Sequence, residues 1–334
     1  MPIEPRPATT PAVCGAVPPR RGLPAGGWWR HASSAMGTSI TLEFWSDDKA
    51  QAAQAVDAVT RVMRHVDETM SPHKPASELS RINRDAARRA VPLSAEMALL
   101  LRRALQFSAF SDGAFDITYA AAGQLYDYRR GVAPDDTALA AVLPGIGWRH
   151  VELDDAARRV RFTHPATRID LGGFAKGHAV DVAARELRAL GIAQAYVSAG
   201  GDSCVIGDRR GRPWTLGIRD PRAEGGLVAV LPLEDVSVST SGDYERCFVR
   251  DGQRVHHLID PATGRPARGA RSVTVLAADG LCAEALSKTV FVLGPDRGLA
   301  LVERMPGADA VVVDVDGRLR ATAGLQDAAT AARP

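Results

Sequence analysis

Five stretches of the chain set glycines beside groups that can bind or transfer charge. Ile169-Asp170-Leu171-Gly172-Gly173-Phe174-Ala175-Lys176-Gly177 reads as a strand running through two glycines into a helix. Glycine admits a ligand close to the backbone, and the free amides of a helix start suit a phosphate. Lys176 in the first turn opposes the helix dipole unless it meets an anion. Lysine is scarce: Lys49, Lys74, Lys176 and Lys288 are the four, so 37 of the 41 basic residues are arginine. The alternative is a tight turn carrying a solvated lysine. It is not a Walker loop, because Gly-x-x-x-x-Gly-Lys-Ser/Thr is absent. Ser198-Ala199-Gly200-Gly201-Asp202 ends an apolar strand on two glycines, which fits close ligand approach or a simple turn. Ser239-Thr240-Ser241-Gly242-Asp243-Tyr244-Glu245-Arg246 offers hydroxyls and a glycine for phosphate oxygens, or a capped turn.

The fourth stretch is His256-His257-Leu258-Ile259-Asp260-Pro261-Ala262-Thr263-Gly264. On a strand spanning 254–259, period two sends His257 and Ile259 to one face and His256 and Leu258 to the other. One histidine then faces inward, as a general base near neutrality or as a core histidine with its bonds satisfied. Two adjacent histidines on a flat strand cannot ligate one metal ion together. In the fifth stretch, Ala283-Glu284-Ala285-Leu286-Ser287-Lys288-Thr289, Glu284 and Lys288 stand four apart, in the order that supports a helix by an ion pair.

These groups need a frame, and the 334 residues are enough for one large domain or two ordinary ones. The formal charge of +2 argues against a nucleic-acid binder held by bulk charge. No run is apolar for the roughly 18 residues of a membrane span. Four scattered cysteines form no C-x-x-C pair, against a zinc knuckle, a thioredoxin-like motif or a disulfide scaffold. Seven of 21 prolines fall within the first 30 residues, so residues 1–30 read as a disordered Pro/Arg-rich tail. Arg20-Arg21 is followed by Gly and Pro rather than an apolar segment, so no export signal is read and a cytoplasmic location is expected.

Hydrophobic spacing predicts a strand around Ile40–Phe44 and a helix capped by Asp47 or Asp48, with Ala52, Val56, Val59, Met63, Val66 and Met70 on one face. A second helix follows Ser94, a hairpin turns at Asp154-Asp155, and a helix over 174–190 stops on Gly191. Strand-like runs then dominate, with one more helix near 282–293 and a hairpin at Asp316-Gly317. Without regular βα alternation, an α+β fold is expected rather than a doubly wound sheet.

Taken in order, the five stretches join further motifs: Met36-Gly37-Thr38, Asp67-Glu68-Thr69-Met70-Ser71, Ser77-Glu78-Leu79-Ser80-Arg81-Ile82-Asn83, Phe115-Asp116-Ile117-Thr118 and Phe291-Val292-Leu293-Gly294. Together they resemble the ApbE family, the FAD:protein FMN transferases. The resemblance implies one α+β domain over residues 31–326, with mixed sheets and an FAD cleft, and a short tail at 327–334. It implies covalent transfer of FMN from FAD to a Thr or Ser hydroxyl of a partner protein, with release of AMP and assistance from Mg²⁺. The acceptor sequence would resemble Asp-Gly-x-Ser/Thr-Gly-Ala-Thr/Ser.

By the same resemblance, Met36 and His73 stand beside the flavin or adenine, and Ser77, Asp116 and Thr118 line the cleft. Lys176 lies near the FAD phosphates, as a catalytic residue that also binds the cofactor. Gly200, Gly201 and Asp202, with Ser241, Gly242 and Asp243, contact the cofactor through the backbone. His257 is the general base and, together with Ile259, contacts the cofactor. The family's metal is held by an Asp, a Thr four residues later and a carbonyl near Gly173. Here the two side-chain positions are Glu284 and Lys288. Glutamate still ligates magnesium with longer reach, whereas lysine cannot. The expectation is a transferase with altered metal dependence. The alternative is an FAD-binding protein without catalysis, or a slow FAD pyrophosphatase. Family members are commonly exported, which makes the periplasm the alternative location.

Overall fold

A computed structural model describes residues 26–223 and 225–326. Most of the expected N-terminal tail, and all of the expected C-terminal tail at 327–334, lie outside the described residues. Residues 27–30 belong to the first strand, Gly27–Ala35, so the folded part begins before position 31. The Trp28-Trp29 pair accounts for this. Trp28 packs edge-on against Trp45 and Trp214, and Trp29 reaches the Ser46 carbonyl.

The centre is an eight-stranded sheet. Its order is Gly27–Ala35, Thr38–Ser46, Ala195–Ala199, Asp202–Ile206, Ser237–Gly242, Ser272–Ala277, Asp309–Val313 and Leu319–Ala321. In place of the mixed sheets expected, every pairing within it is antiparallel. Smaller antiparallel pieces surround it. The α+β class holds. Among the described residues no helix is long and apolar enough to cross a membrane.

Three helices cover one face of the sheet. Lys49–Met70 starts on the Asp48 carboxylate, which accepts from the Ala50 amide, and buries Ala52, Ala55, Val59, Met63, Val66 and Met70 at helical spacing. Ala175–Ala189 and Gly280–Val302 pack beside it and on the strands. The last helix runs beyond the expected 282–293. Gly294, at φ 76°, and Pro295 break its geometry midway, so two helical segments follow one another across a kink. On the opposite face, the hairpin Trp214–Arg219/Leu227–Leu233 shields a small cluster of Val205, Trp214, Leu233 and Val238.

Several elements escaped the sequence pattern, and two of them bear on the site. Glu78–Asp85 is a short helix that caps on Ser77, and Asp202–Ile206 is a fully buried strand without alternation. The strand expected over 254–259 is also interrupted. It runs Gln253–His256, breaks at His257-Leu258 and resumes as the two-residue Ile259–Asp260.

Candidate active site

The sheet supplies polar groups at one end of its helix-facing side. Asp202 and Ser239 are cross-strand partners, and Ser241 follows Ser239 at period two. All three are buried, at 2%, 0% and 4% exposure. Helix Gly280–Val302 meets them with Glu284, Ser287 and Lys288, which share one face by i, i+3 and i+4 spacing. The Ser287 hydroxyl lies 3.0 Å from that of Ser239 and 2.9 Å from that of Ser241, and Ser239 donates to Asp202 at 2.6 Å.

Helix Ala175–Ala189 brings Lys176 to the same place because two glycines let the helices touch. A Cβ on Gly177 would lie 2.2 Å from the Gly280 carbonyl oxygen, and one on Gly280 would lie 2.8 Å from that of Gly177. Only glycine at this crossing allows the backbones to meet, so Lys176 reaches across to Glu284.

The ammonium of Lys176 has three N–H donors, and three acceptors surround it. They are the Gly172 carbonyl at 3.0 Å, the Asp202 carboxylate at 3.0 Å and Glu284 Oε1. The other Glu284 oxygen accepts from the Gly177 amide at 2.7 Å and so caps the helix from outside. Glu284 is wholly buried, and both its oxygens are engaged. Lys288 stands differently. Its Nζ is 3.5 Å from Glu284 Oε1 and 3.4 Å from Ser287 Oγ, long for hydrogen bonds. Burial opposes the charge on both lysines. At Lys176 the two carboxylates outweigh it and raise the pKa, whereas at Lys288 burial prevails and lowers it.

This geometry corrects two expectations from the sequence. Of the amides at the helix start, four are already taken and are not free for a phosphate. Gly172 N donates to the Asp170 carboxylate, Phe174 N and Ala175 N to the Leu171 carbonyl, and Gly177 N to Glu284. The residues at Glu284, Gly173 and Lys288 also do not fit magnesium. Glu284 is bonded to an amide and an ammonium, and the aliphatic stem of Lys288 lies along Gly173, with its Cγ 3.5 Å from where a Cβ would stand. Two buried ammoniums would repel a divalent ion, and among the described residues no group of three His, Cys, Asp or Glu is placed to hold one.

His257 and His256 separate as the alternation required, although the strand breaks between them. His256 is the core histidine. Its Nε2 bonds the Ala267 carbonyl at 3.0 Å, its Nδ1 accepts from the Leu258 amide at 3.3 Å, and its ring meets Phe291 edge-on. Those bonds fix a neutral ring with the proton on Nε2. His257 has a buried Nδ1 with no hydrogen-bond partner, and Tyr128 lies edge-on to its ring. Burial first, then the charges of Lys288 and Arg246, push its pKa down to about 3.

A pH dependence follows. An unfolded histidine takes up a proton near pH 6.5, whereas folded His257 resists until about 3. Between those values the unfolded chain binds more protons, so stability falls as the pH falls. His257→Gln is expected to flatten this slope by about 1.4 kcal/mol per pH unit, read from denaturant unfolding at several pH values. An unchanged slope would show that His257 is not held neutral.

The remaining expected positions divide into two groups. Met36 and Gly37 form the turn between the first two strands, both at positive φ, and the Gly37 carbonyl lies 3.5 Å from Arg246. Gly200 and Gly201 turn beside them, where a Cβ on Gly200 would lie 2.6 Å from Thr38 Oγ1. His73 is exposed, and its charge acts on Asp170 together with those of Lys176 and Arg246. These residues gather near the lysine cluster.

The others have side chains occupied internally. Ser77 caps its helix and donates to the Ser71 carbonyl. Asp116 accepts from the Thr118 amide and hydroxyl and from the Trp148 amide, while Thr118 accepts from Gly147. Asp116 and Thr118 are at 5% and 0% exposure, so they clasp two loops rather than line a cleft with free polar groups. Asp243 is held by a two-pronged pair with Arg222 at 2.6 and 2.9 Å, and a Cβ on Gly242 would strike the Tyr244 ring. Ile259 is buried.

The motifs around these clasps still matter, because they position the lysine turn. The Asn83 amide pairs with the Ile169 backbone by two 2.8 Å bonds, and Asp170 N donates to the Ile117 carbonyl. The stretches singled out in the sequence contain Ser239, Ser287, Asp170 and Arg246 without giving any of them its own place in the site, and Tyr119 was missed altogether. The signal for Ser239 was available, since period two from Ser241 reaches it.

The ApbE family model matches residues 36–312, which takes in every cluster residue. The chain belongs to the ApbE family. An FAD:protein FMN transferase of Treponema pallidum is 33% identical over 90% of this chain and 88% of its own length. The crystal structure of the ApbE protein from Thermotoga maritima superposes with a TM-score of 0.83 at 32% identity, covering 90% of this chain and 98% of that one. The flavin transferase ApbE of Vibrio cholerae gives 0.80 at 28% identity, over 90% and 99%. In this ApbE protein Lys288 stands beside Glu284.

Proposed function

We propose that the chain transfers FMN from FAD to a serine or threonine hydroxyl of a partner protein and releases AMP. Family membership and the names of its full-length relatives support the reaction. The observation that carries it to particular atoms is the buried, unpartnered imidazole of His257 next to a cluster of lysines.

An alcohol attacks phosphorus poorly until a base removes its proton. His257 is neutral at physiological pH and has a vacant nitrogen to accept one. The hydroxyl oxygen bonds to the FMN phosphorus while its proton passes to His257. The phosphorus–oxygen bond of the anhydride breaks, and AMP leaves with the bridging oxygen. The imidazolium then returns its proton to AMP or to water. Its low pKa reflects burial first and nearby cations second, so an arriving diphosphate would offset the cations' share and raise it toward the range useful for a base. Magnesium has no part in this reading, because the residues here do not fit it.

The acceptor is a protein whose exposed segment resembles Asp-Gly-x-Ser/Thr-Gly-Ala-Thr/Ser. Incubation of the chain with FAD and such a protein is expected to leave flavin fluorescence on the acceptor after denaturation, and AMP in solution. Repeated failure to label any acceptor while AMP and free FMN accumulate would replace transfer by hydrolysis.

A further inference from the structure

We propose that Lys288, rather than Lys176 or a divalent ion, is the cation that meets the diphosphate of FAD, so that FAD binding and transfer in this protein do not require a divalent metal. The inference rests on the FMN-transfer reading for its substrate, and on hydrogen-bond accounting for its residue.

All three donors of Lys176 are directed at Gly172, Asp202 and Glu284. Four amides of the lysine turn, those of Gly172, Phe174, Ala175 and Gly177, are engaged as well. Lys288 is the cluster cation with bonding capacity left, since its two contacts are 3.4 and 3.5 Å long. Its side chain lies along Gly173 and is 19% exposed, so Lys288 is sheltered without being sealed from solvent. A sheltered charge with incomplete bonds favours an anion that supplies strong acceptors.

Charge counting gives the same answer. Lys176 and Lys288 balance Asp202 and Glu284, so the cluster is neutral. Without Lys288 it would carry one net negative charge, which repels a diphosphate and attracts a cation. Lysine at this position thus provides in a fixed side chain part of the charge that a bound metal would bring. Lys176 is a positioning residue that holds the two carboxylates apart from the ligand.

The test measures FAD affinity by flavin fluorescence and FMN transfer to an acceptor, each in excess EDTA and in Mg²⁺. The unmodified protein is expected to bind FAD equally within a factor of about three in both conditions, and to retain transfer in EDTA. Lys288→Thr is expected to bind FAD on the order of tenfold to a hundredfold more weakly in EDTA, the range of one lost charge-assisted bond. It should recover in Mg²⁺, because the site has become anionic. Loss of FAD binding by the unmodified protein in EDTA, or of a transfer activity that it shows in Mg²⁺, would overturn the proposal, and needs no variant to be seen. So would full FAD affinity of folded Lys288→Thr in EDTA. Absence of transfer in every condition, with FAD bound and Lys288-dependent, would refute the transfer reading and leave the lysine assignment standing.

Discussion

His257→Ala will lower FMN transfer by about a hundredfold to ten-thousandfold, the usual range for a lost general base, while FAD affinity changes by only a few-fold. The same substitution one residue earlier will behave in the opposite way. His256 is 4% exposed, packs on Phe291 and bridges the Ala267 carbonyl to the Leu258 amide. His256→Ala leaves a cavity and two unpaired backbone groups, at a cost of about 2–4 kcal/mol in stability. Single-turnover transfer and urea unfolding on both variants make the comparison. Matching activity losses with matching stability losses would mean that neither histidine is specialised.

Lys176→Met will be the most destabilising single change in the cluster. It leaves Asp202 and Glu284, at 2% and 0% exposure, with one loosely bonded cation between them. Removing one partner of a buried ion pair costs about 3–5 kcal/mol, because the remaining charge stays buried. Adding Glu284→Gln to Lys176→Met should return part of that loss, since it removes the orphaned carboxylate. Strict additivity of the two changes in denaturant unfolding would show that the three groups do not act as a unit.

The sequence made some of this legible and hid the rest for physical reasons. Helices whose apolar spacing and caps agreed were readable, as with Asp48 before Lys49–Met70 and Ser94 before Ala95–Phe110. The all-buried strand Asp202–Ile206 gives no alternation to detect. That His256 and His257 point different ways was visible from period two, but the break after His256 was not, because nothing local marks it. Ser77, Asp116 and Thr118 show a further limit. A motif aligned with a binding site also holds residues whose side chains only bind the backbone into shape. The consequence of lysine at 288 needed coordinates, since no sequence tells which of two ammoniums has its donors already satisfied.

The eight-stranded sheet joins neighbours that lie far apart along the chain. Ile40 pairs with Ala199, and Lys176 meets Glu284 across a separation of 108 residues. Closing such loops is entropically costly before any contact rewards it, so folding is governed by distant pairings and is slow for the chain's size. The lysine cluster gathers groups from two strands and two helices, and apart from the contacts of Lys288 with its own helix its side-chain pairs join separate segments. Bound flavin therefore serves as a reporter of completed folding: fluorescence quenching during refolding should appear only with the last kinetic phase, after helical circular dichroism has already returned.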